Sequence, residues 1–475
     1  MRSVRTVAAT LALTLGATAL LAGCGGDGGG GGAVKHPHRS HRTVAASASP
    51  TVLTIGLFGT EPEIAAYKQA VSNYDAAQQS VTVSLETWPT AAAMMSDFAA
   101  GRQVPDVFLA GRGDLDVLEH DKLIAPVDDL LAARNVDLGD DYSREALEAF
   151  SADRHLECMP YTASPQVVYY NTDLIDFNLM KAAGLPVPGS LDSGRWTVPT
   201  FAAAVQFATR PAAGVRGVSI PATVEGLAPY LYSGKGKVVD NESAPTSLAF
   251  SDPSNQATWQ SLLPVLSAPG ASLSQRQLKR HTALQWFERG KLGMLVGDRS
   301  LVPELRSHPE LHWDVISLPS VAGTTTIGDY TGLCLSRDTK QVQAAADLLA
   351  YLVSQPAEAL VAQSGYVVPV NNAVALSNDF LQPTQQPAHA KVFVNSSRSM
   401  HILPIPSATA AQLDGTVSDL IRQLFVPGAD VAAITAQIDA ASQPVLASSP
   451  VAPQSSGSAS AAASGSASAS ASASP

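Results

Sequence analysis

Cysteine, charge and aromatic side chains are all scarce in this chain, and each scarcity removes a class of function. Three cysteines in 475 residues exclude a disulfide-dense scaffold. Charged residues are 15% of the sequence, the net charge is −11 and no dense basic patch occurs, so nucleic acid is not an expected partner. Catalytic signatures are missing as well. Gly-x-Ser-x-Gly, His-Glu-x-x-His and a dinucleotide fingerprint do not occur. Lys235, between Gly234 and Gly236, lacks the spacing and the following Ser or Thr of a phosphate loop. His155, His281, His312 and His401 are dispersed, so no metal site and no cofactor are expected. Asp and Glu are numerous enough to leave a glycosidase-like pair open, but none stands in an apolar context that would raise its pKa. The reading is therefore of a protein that binds and does not catalyse.

What is present begins with two atypical ends. Arg2 and Arg5 precede an apolar run from Val7 to Leu21, too short to span a bilayer comfortably and typical of an export signal. Leu21-Ala22-Gly23-Cys24 resembles the lipobox of bacterial lipoproteins. That resemblance implies a signal peptide over 1–23 and a Cys24 that carries acyl chains, each buried methylene adding roughly 0.8 kcal/mol of membrane affinity. Residues 24–50 read as a flexible Gly/Ser/Ala linker in which His36, His38 and His41 cluster. Residues 449–475 are almost wholly Ser, Ala, Gly and Pro and read as a disordered tail, because they cannot bury enough apolar surface to offset chain entropy.

Between the ends, strands alternate with helices. Thr51 to Phe58, Val81 to Trp88 and Pro105 to Ala110 read as strands; Ile64 to Ala77 and Ala91 to Gly101 read as helices. Alternation of this kind implies an open α/β sheet, in which ligands bind beyond the carboxyl ends of the strands. Phe58, Glu61, Trp88 and Arg112 then share one rim. Further on, Met159 to Trp196 opens with Pro160-Tyr161 and continues through the Val/Tyr run Gln166 to Tyr170. It then passes Asn171 and Leu174 to Ala183-Gly184-Leu185-Pro186-Val187-Pro188 and Trp196-Thr197.

This order resembles the extracellular solute-binding proteins of ATP-binding-cassette importers, on the branch typified by maltose-binding protein. Leu123-Ile124-Ala125-Pro126-Val127-Asp128, Trp286 to Asp298, and Gly365-Tyr366 match further pieces of the family pattern. The resemblance covers nearly all of residues 51–448. It implies a two-lobed fold, each lobe an open, mainly parallel sheet flanked by helices, with residues 51–160 plus 313–336 in lobe one and 161–312 plus 337–448 in lobe two. The chain would cross between lobes near Pro160, His312 and Ser336. Cys158 and Cys334, an even pair that could stay as two buried thiols, would then both lie in lobe one just before crossings, which favours a disulfide.

The function implied is a monomeric, lipid-anchored receptor on the outer face of the cell membrane. It would capture a small solute, most simply a saccharide, and deliver it to an ABC permease. Candidate aromatic platforms are Trp88, Tyr161, Tyr230, Trp286, Tyr330 and Tyr366. The sequence departs from the pattern after Gly297, where Asp298-Arg299 replaces an aromatic, and at Gly328-Asp329, where relatives often have Gly-Gly. Asp298, Arg299 and Asp329 could clamp hydroxyls or signal a charged, non-sugar solute. A ligand sensor, an envelope hydrolase and a structural lipoprotein remain as rival readings.

Overall fold

The computed structural model describes residues 50–191 and 196–449; the signal peptide, Cys24, the linker histidines and the Ser/Ala tail lie outside them. Strand β1, Thr51–Phe58, lies one place in from an edge of the first sheet. It pairs in parallel with β2, Val81–Trp88, in register from Thr51↔Val81 to Phe58↔Trp88, and with β3, Val107–Gly111. Leu53, Ile55 and Leu57 are fully buried, each worth about 1.5–3 kcal/mol of burial. Gly56 is required there, since a Cβ would press on Pro105 at 2.9 Å and Phe108 at 3.1 Å.

Helix α1, Glu61–Ala77, buries Ile64, Tyr67, Ala70, Val71 and Tyr74, a stripe at helical spacing facing the sheet. The Glu63 carboxylate accepts from the Thr60 N–H at its start. Helix α2, Ala91–Ala99, is capped by the Thr90 side chain, which accepts from Ala93 N–H.

Both sheets are mixed. In the first, strand Tyr330–Ser336 returns antiparallel between β3 and strand Cys158–Ala163, and Val368–Pro369 closes that edge. The second has four strands in the order Trp313–Ile316, Val167–Asn171, Leu292–Gly297, Arg216–Ser219. Its period-two alternation divides the cores. Val167 and Tyr169 join the core that runs into the first lobe; Val168 and Tyr170 join a separate core of the second lobe.

Cys158 and Cys334 are disulfide-bonded across directly opposed positions of adjacent antiparallel strands, Cα atoms 4.4 Å apart, the separation of a non-hydrogen-bonded pair.

Three chain segments lie side by side where the sheets meet. Ser164 N–H donates to Asp329 O and Gln166 N–H to Ile327 O, both at 2.9 Å. Strand Thr326–Ile327 pairs in parallel with Met400–His401. Gly328 is fixed by this contact, because a Cβ would collide with the Ser164 carbonyl oxygen and the Met400 sulfur.

The crossings therefore fall at 164–166, 326–329 and 399–402, which corrects the expected crossings at His312 and Ser336. Trp313–Ile316 stays in the second sheet, where it pairs with Val167–Asn171 over four residues and its indole packs on Tyr169. After Ser336, helices Val342–Leu352 and Gln355–Gln363 pack on α1, so residues 337–370 sit with the first sheet and not with lobe two. Residues 378–393 straddle both: Asp379 accepts from Gln363 of the first lobe, and the Phe380 carbonyl accepts from Arg299 of the second.

Candidate functional site

The topology aims both sheets at one place. In the first, β1 ends at Phe58, β3 ends at Gly111, and the antiparallel return strand begins at Tyr330, with Thr331 opposite Gly111. In the second, Gly297 lies opposite Val167, so Asp298 and Gln166 leave the sheet at the same edge. Strand Arg216–Ser219 runs parallel to Leu292–Gly297 and releases its chain there as well, toward helix Val224–Ser233. The hinge segments join these two rims, and the region between them is the candidate cleft.

Asp329 stands at the centre. Its carboxylate accepts from the Arg112 N–H at 3.1 Å and lies against Gly111, where any Cβ would overlap it. Asp114 is 1% exposed and accepts from the Ser407 N–H at 2.7 Å. Ser407 opens the helix Ser407–Leu424, whose positive end favours an anion. Burial, with the charge of Asp114 next, pushes the Asp329 carboxyl up to about 8. Glu225, in the first turn of Val224–Ser233, is raised by burial and then by Asp414 and Asp298. Asp298 is raised by burial and, across the cleft, by Glu63 of α1, while the Ser300 hydroxyl and N–H oppose the shift. Carboxylates from both lobes thus share one electrostatic field. Arg112 is the cation on this rim, and it pairs with Asp116 at 3.1 Å. The expectation that no carboxylate has a raised pKa is overturned here.

Two grooves of ≈ 750 and ≈ 790 Å³ lie among helices and loops of the second lobe and contain none of these carboxylates.

Residues 69–390, well over half of the chain, match the family of bacterial extracellular solute-binding proteins. This chain belongs to that family. No curated protein sequence matches it. Among solved structures, an ABC substrate-binding protein of Listeria monocytogenes in complex with cycloalternan is 16% identical; the match covers 84% of this chain and 98% of that one, with a TM-score of 0.69. The GacH receptor of Streptomyces glaucescens, solved unliganded and with acarbose, is 17% identical over 84% of this chain and 99% of its own, with a TM-score of 0.65. The maltotriose-binding protein of Thermus thermophilus is 14% identical over 83% of this chain and 100% of its own, at 0.61. At these identities the likeness establishes the shared two-lobed α/β fold.

Within this solute-binding protein the expected site residues separate into two groups. Phe58, Arg112, Asp298 and Asp329 lie on the rims. Tyr366 is half-buried, and its hydroxyl is raised by burial and then by Glu63 and Glu304, which puts it near α1. Glu61 is exposed and paired with Lys68 at 2.7 Å.

The other aromatics are corrected. Trp88 is buried with its indole N–H on Asp97 at 2.8 Å, Phe98 at its edge and Arg102 4.6 Å from its ring centre. Tyr161 and Tyr230 are fully buried, Tyr161 against Tyr67. Tyr330 is buried, its hydroxyl on the Ser397 carbonyl at 3.0 Å. Trp286 is half-buried against His281 on the helix Ala283–Glu288. Each sits on the core-facing side of its element, where large aromatics gain most by burial.

Arg299 is corrected too. It is fully buried, donates to the Phe380 carbonyl at 2.9 Å and lies 4.0 Å over the Phe380 ring. Burial brings it down to about 9.

Sequence reasoning missed Glu63, Asp114, Glu225 and Asp414. A signal existed for three of them. Glu63 follows Thr60 at capping-box spacing, Asp114 is one residue past the expected rim loop, and Glu225 opens a helix after a strand.

Proposed function

We propose that this chain is a lipid-anchored receptor that captures a saccharide between its two lobes and hands it to an ABC-type permease. The observation that carries the reading is the pair of rims, joined by three hinge segments and lined from both sides by hydrogen-bonding carboxylates. Contacts to both rims exist only in a closed form, so a solute that makes them shifts the population toward closure. The neighbours bound to cycloalternan, acarbose and maltotriose support a saccharide. Leu21-Ala22-Gly23-Cys24 supports the anchor, and family membership supports the extracellular setting and the permease. The chain is read as a binder without chemistry of its own.

One observation favours a second reading within the same cleft. Glu63, Glu225, Asp298 and Asp329 face it with little positive charge to balance them. A solute bearing an amino group would offset that negative charge and favour the ionised forms of Glu225, Asp298 and Asp329.

Thermal unfolding of the mature protein against neutral oligosaccharides, amino-substituted sugars, polyols, amino acids and organic anions decides between these readings. A ligand at a hundredfold its dissociation constant stabilises by about 2.7 kcal/mol. A shift with neutral sugars supports the first reading, and a shift confined to amino-substituted ones supports the second. A shift with anions alone contradicts both. The anchor is tested separately: Cys24→Ala should release the protein into the medium.

A further inference from the structure

Where the helix Val302–Arg306 packs on Gly365 of the first lobe, three side chains converge in a way the sequence reading did not anticipate. Glu288 ends the helix Ala283–Glu288, and Glu304 belongs to Val302–Arg306. His308 follows on the same turn, its N–H donating to the Leu305 carbonyl at 3.2 Å. His308 lies just past the end of the helix that carries Glu304. One donor atom from each of the three lies within 4.8 Å of the others.

Three details point to a cation. First, the Glu288 side chain is only 12% exposed and lies beside the Glu304 carboxylate. A carboxylate withdrawn from water and set beside a second carboxylate needs positive charge. Second, His308 Nε2 stands 3.8 Å from Glu288 Oε1, beyond a hydrogen bond. It is close to the roughly 3.4 Å between two ligand atoms that each sit about 2.0–2.2 Å from a tetrahedral ion. Third, the opposite ring nitrogen, Nδ1, faces Glu310 Oε1 at 3.5 Å. A metal-bound imidazole is oriented by a carboxylate on its other nitrogen in this way.

We propose that Glu288, Glu304 and His308 form a binding site for a divalent transition cation of the zinc class, with Glu310 as a positioning residue for the imidazole. One nitrogen and two carboxylate oxygens suit zinc or manganese better than calcium or magnesium, which take oxygen ligands. The ion ties helix Ala283–Glu288 to helix Val302–Arg306. These two helices flank the strand Leu292–Gly297, which delivers Asp298 to the cleft. The site is structural: it braces the two segments on either side of that strand.

The test uses the chelator-treated full chain and calorimetric titration with zinc, manganese, calcium and magnesium salts. The linker histidines are a competing source of zinc binding, so the titrated protein carries His36→Ala, His38→Ala and His41→Ala. The expected result is one equivalent of zinc bound, with a rise in Tm, and at least a tenfold weaker association in His308→Ala and in Glu304→Gln. Glu304 is exposed, so its variant folds even where that of His308 does not. Glu310→Gln should weaken binding roughly tenfold or more. No zinc binding by the protein with an intact cluster, binding unchanged in Glu304→Gln, or a response to calcium and magnesium alone each overturns the proposal.

Discussion

Glu358 shows what a single residue costs when its surroundings are chosen for it. It is 1% exposed, one oxygen accepts from the Asn371 N–H at 3.0 Å, and the other has no hydrogen-bond partner among the described residues. Burial pushes its carboxyl up to about 8, against the two backbone N–H groups that favour the charged form. An unfolded chain ionises this group near pH 4.3. Between there and pH 8 the folded state holds a proton that the unfolded state has lost, so stability falls as pH rises through that window. Glu358→Gln keeps the acceptor and removes the titration. It should equal the natural protein near pH 4 and exceed it by on the order of 2–4 kcal/mol at pH 8, read from urea unfolding at both pH values. A difference that does not change with pH would refute the assignment. Arg299 makes the complementary case. Its guanidinium stacks on Phe380 and, at 5.3 Å, on Phe393, with no carboxylate partner among the described residues. Arg299→Met keeps the stem and drops the charge, so stability should hold within about 1 kcal/mol or improve. Arg299→Ala should lose about 2–5 kcal/mol through the cavity. Solute affinity should be unchanged in the Met variant; a tenfold loss there would restore the clamp role that the sequence suggested.

At the scale of elements, local pattern was legible and long-range pairing was not. Thr51–Phe58 and Val81–Trp88 appear within a residue of their expected bounds, because β-branched runs between turn residues carry their own signal. Tyr170-Asn171 likewise ends a strand as read. Trp313–Ile316 could not be assigned to its sheet from pattern alone, since its partner lies more than 140 residues earlier and a buried strand reads the same in either lobe. The aromatics failed for a related reason. Tyr161 sits in a wholly buried strand, Cys158–Ala163, where neither face meets solvent, and alternation cannot reveal that. The same strand carries the disulfide. Cys158–Cys334 closes a loop of 176 residues, which in the chain-entropy model is worth about 5 kcal/mol, with measured values more often 2–5. Replacing both cysteines with alanine should lower the free energy of guanidinium unfolding by that measured range and leave the two sheets formed, as followed by circular dichroism. An unchanged midpoint would mean that the strands hold without the bond.

At the scale of the whole molecule, the proposed function would couple solute, closure and protons. Asp329 lies at the hinge, bonded through its backbone to Ser164 and through its side chain to the Arg112 N–H, so any solute held there touches the moving joint. Its carboxyl, at about 8, is largely protonated at pH 7 in the unliganded protein. The two solute readings then predict opposite proton traffic. A cationic solute favours the charged carboxylates of Asp329, Asp298 and Glu225, lowers their pKa values and drives protons out as the lobes close. Its affinity should rise with pH from about 5 to 8 and level off above, because the free protein sheds those protons unaided once pH passes the raised values. A neutral saccharide excludes water without supplying charge, keeps Asp329 protonated as a hydrogen-bond donor, and should bind more weakly as pH rises past 8. Titration calorimetry at pH 7 in two buffers of different ionisation enthalpy reads the number of protons released or taken up directly. Asp329→Asn sharpens the comparison. It should preserve neutral-sugar affinity within a few-fold, yet weaken a cationic solute by tenfold or more above pH 8 and abolish most of the proton release. Proton release that persists in full in Asp329→Asn would move the linkage to Glu225 and Asp298, and with it the place where the solute's charge sits.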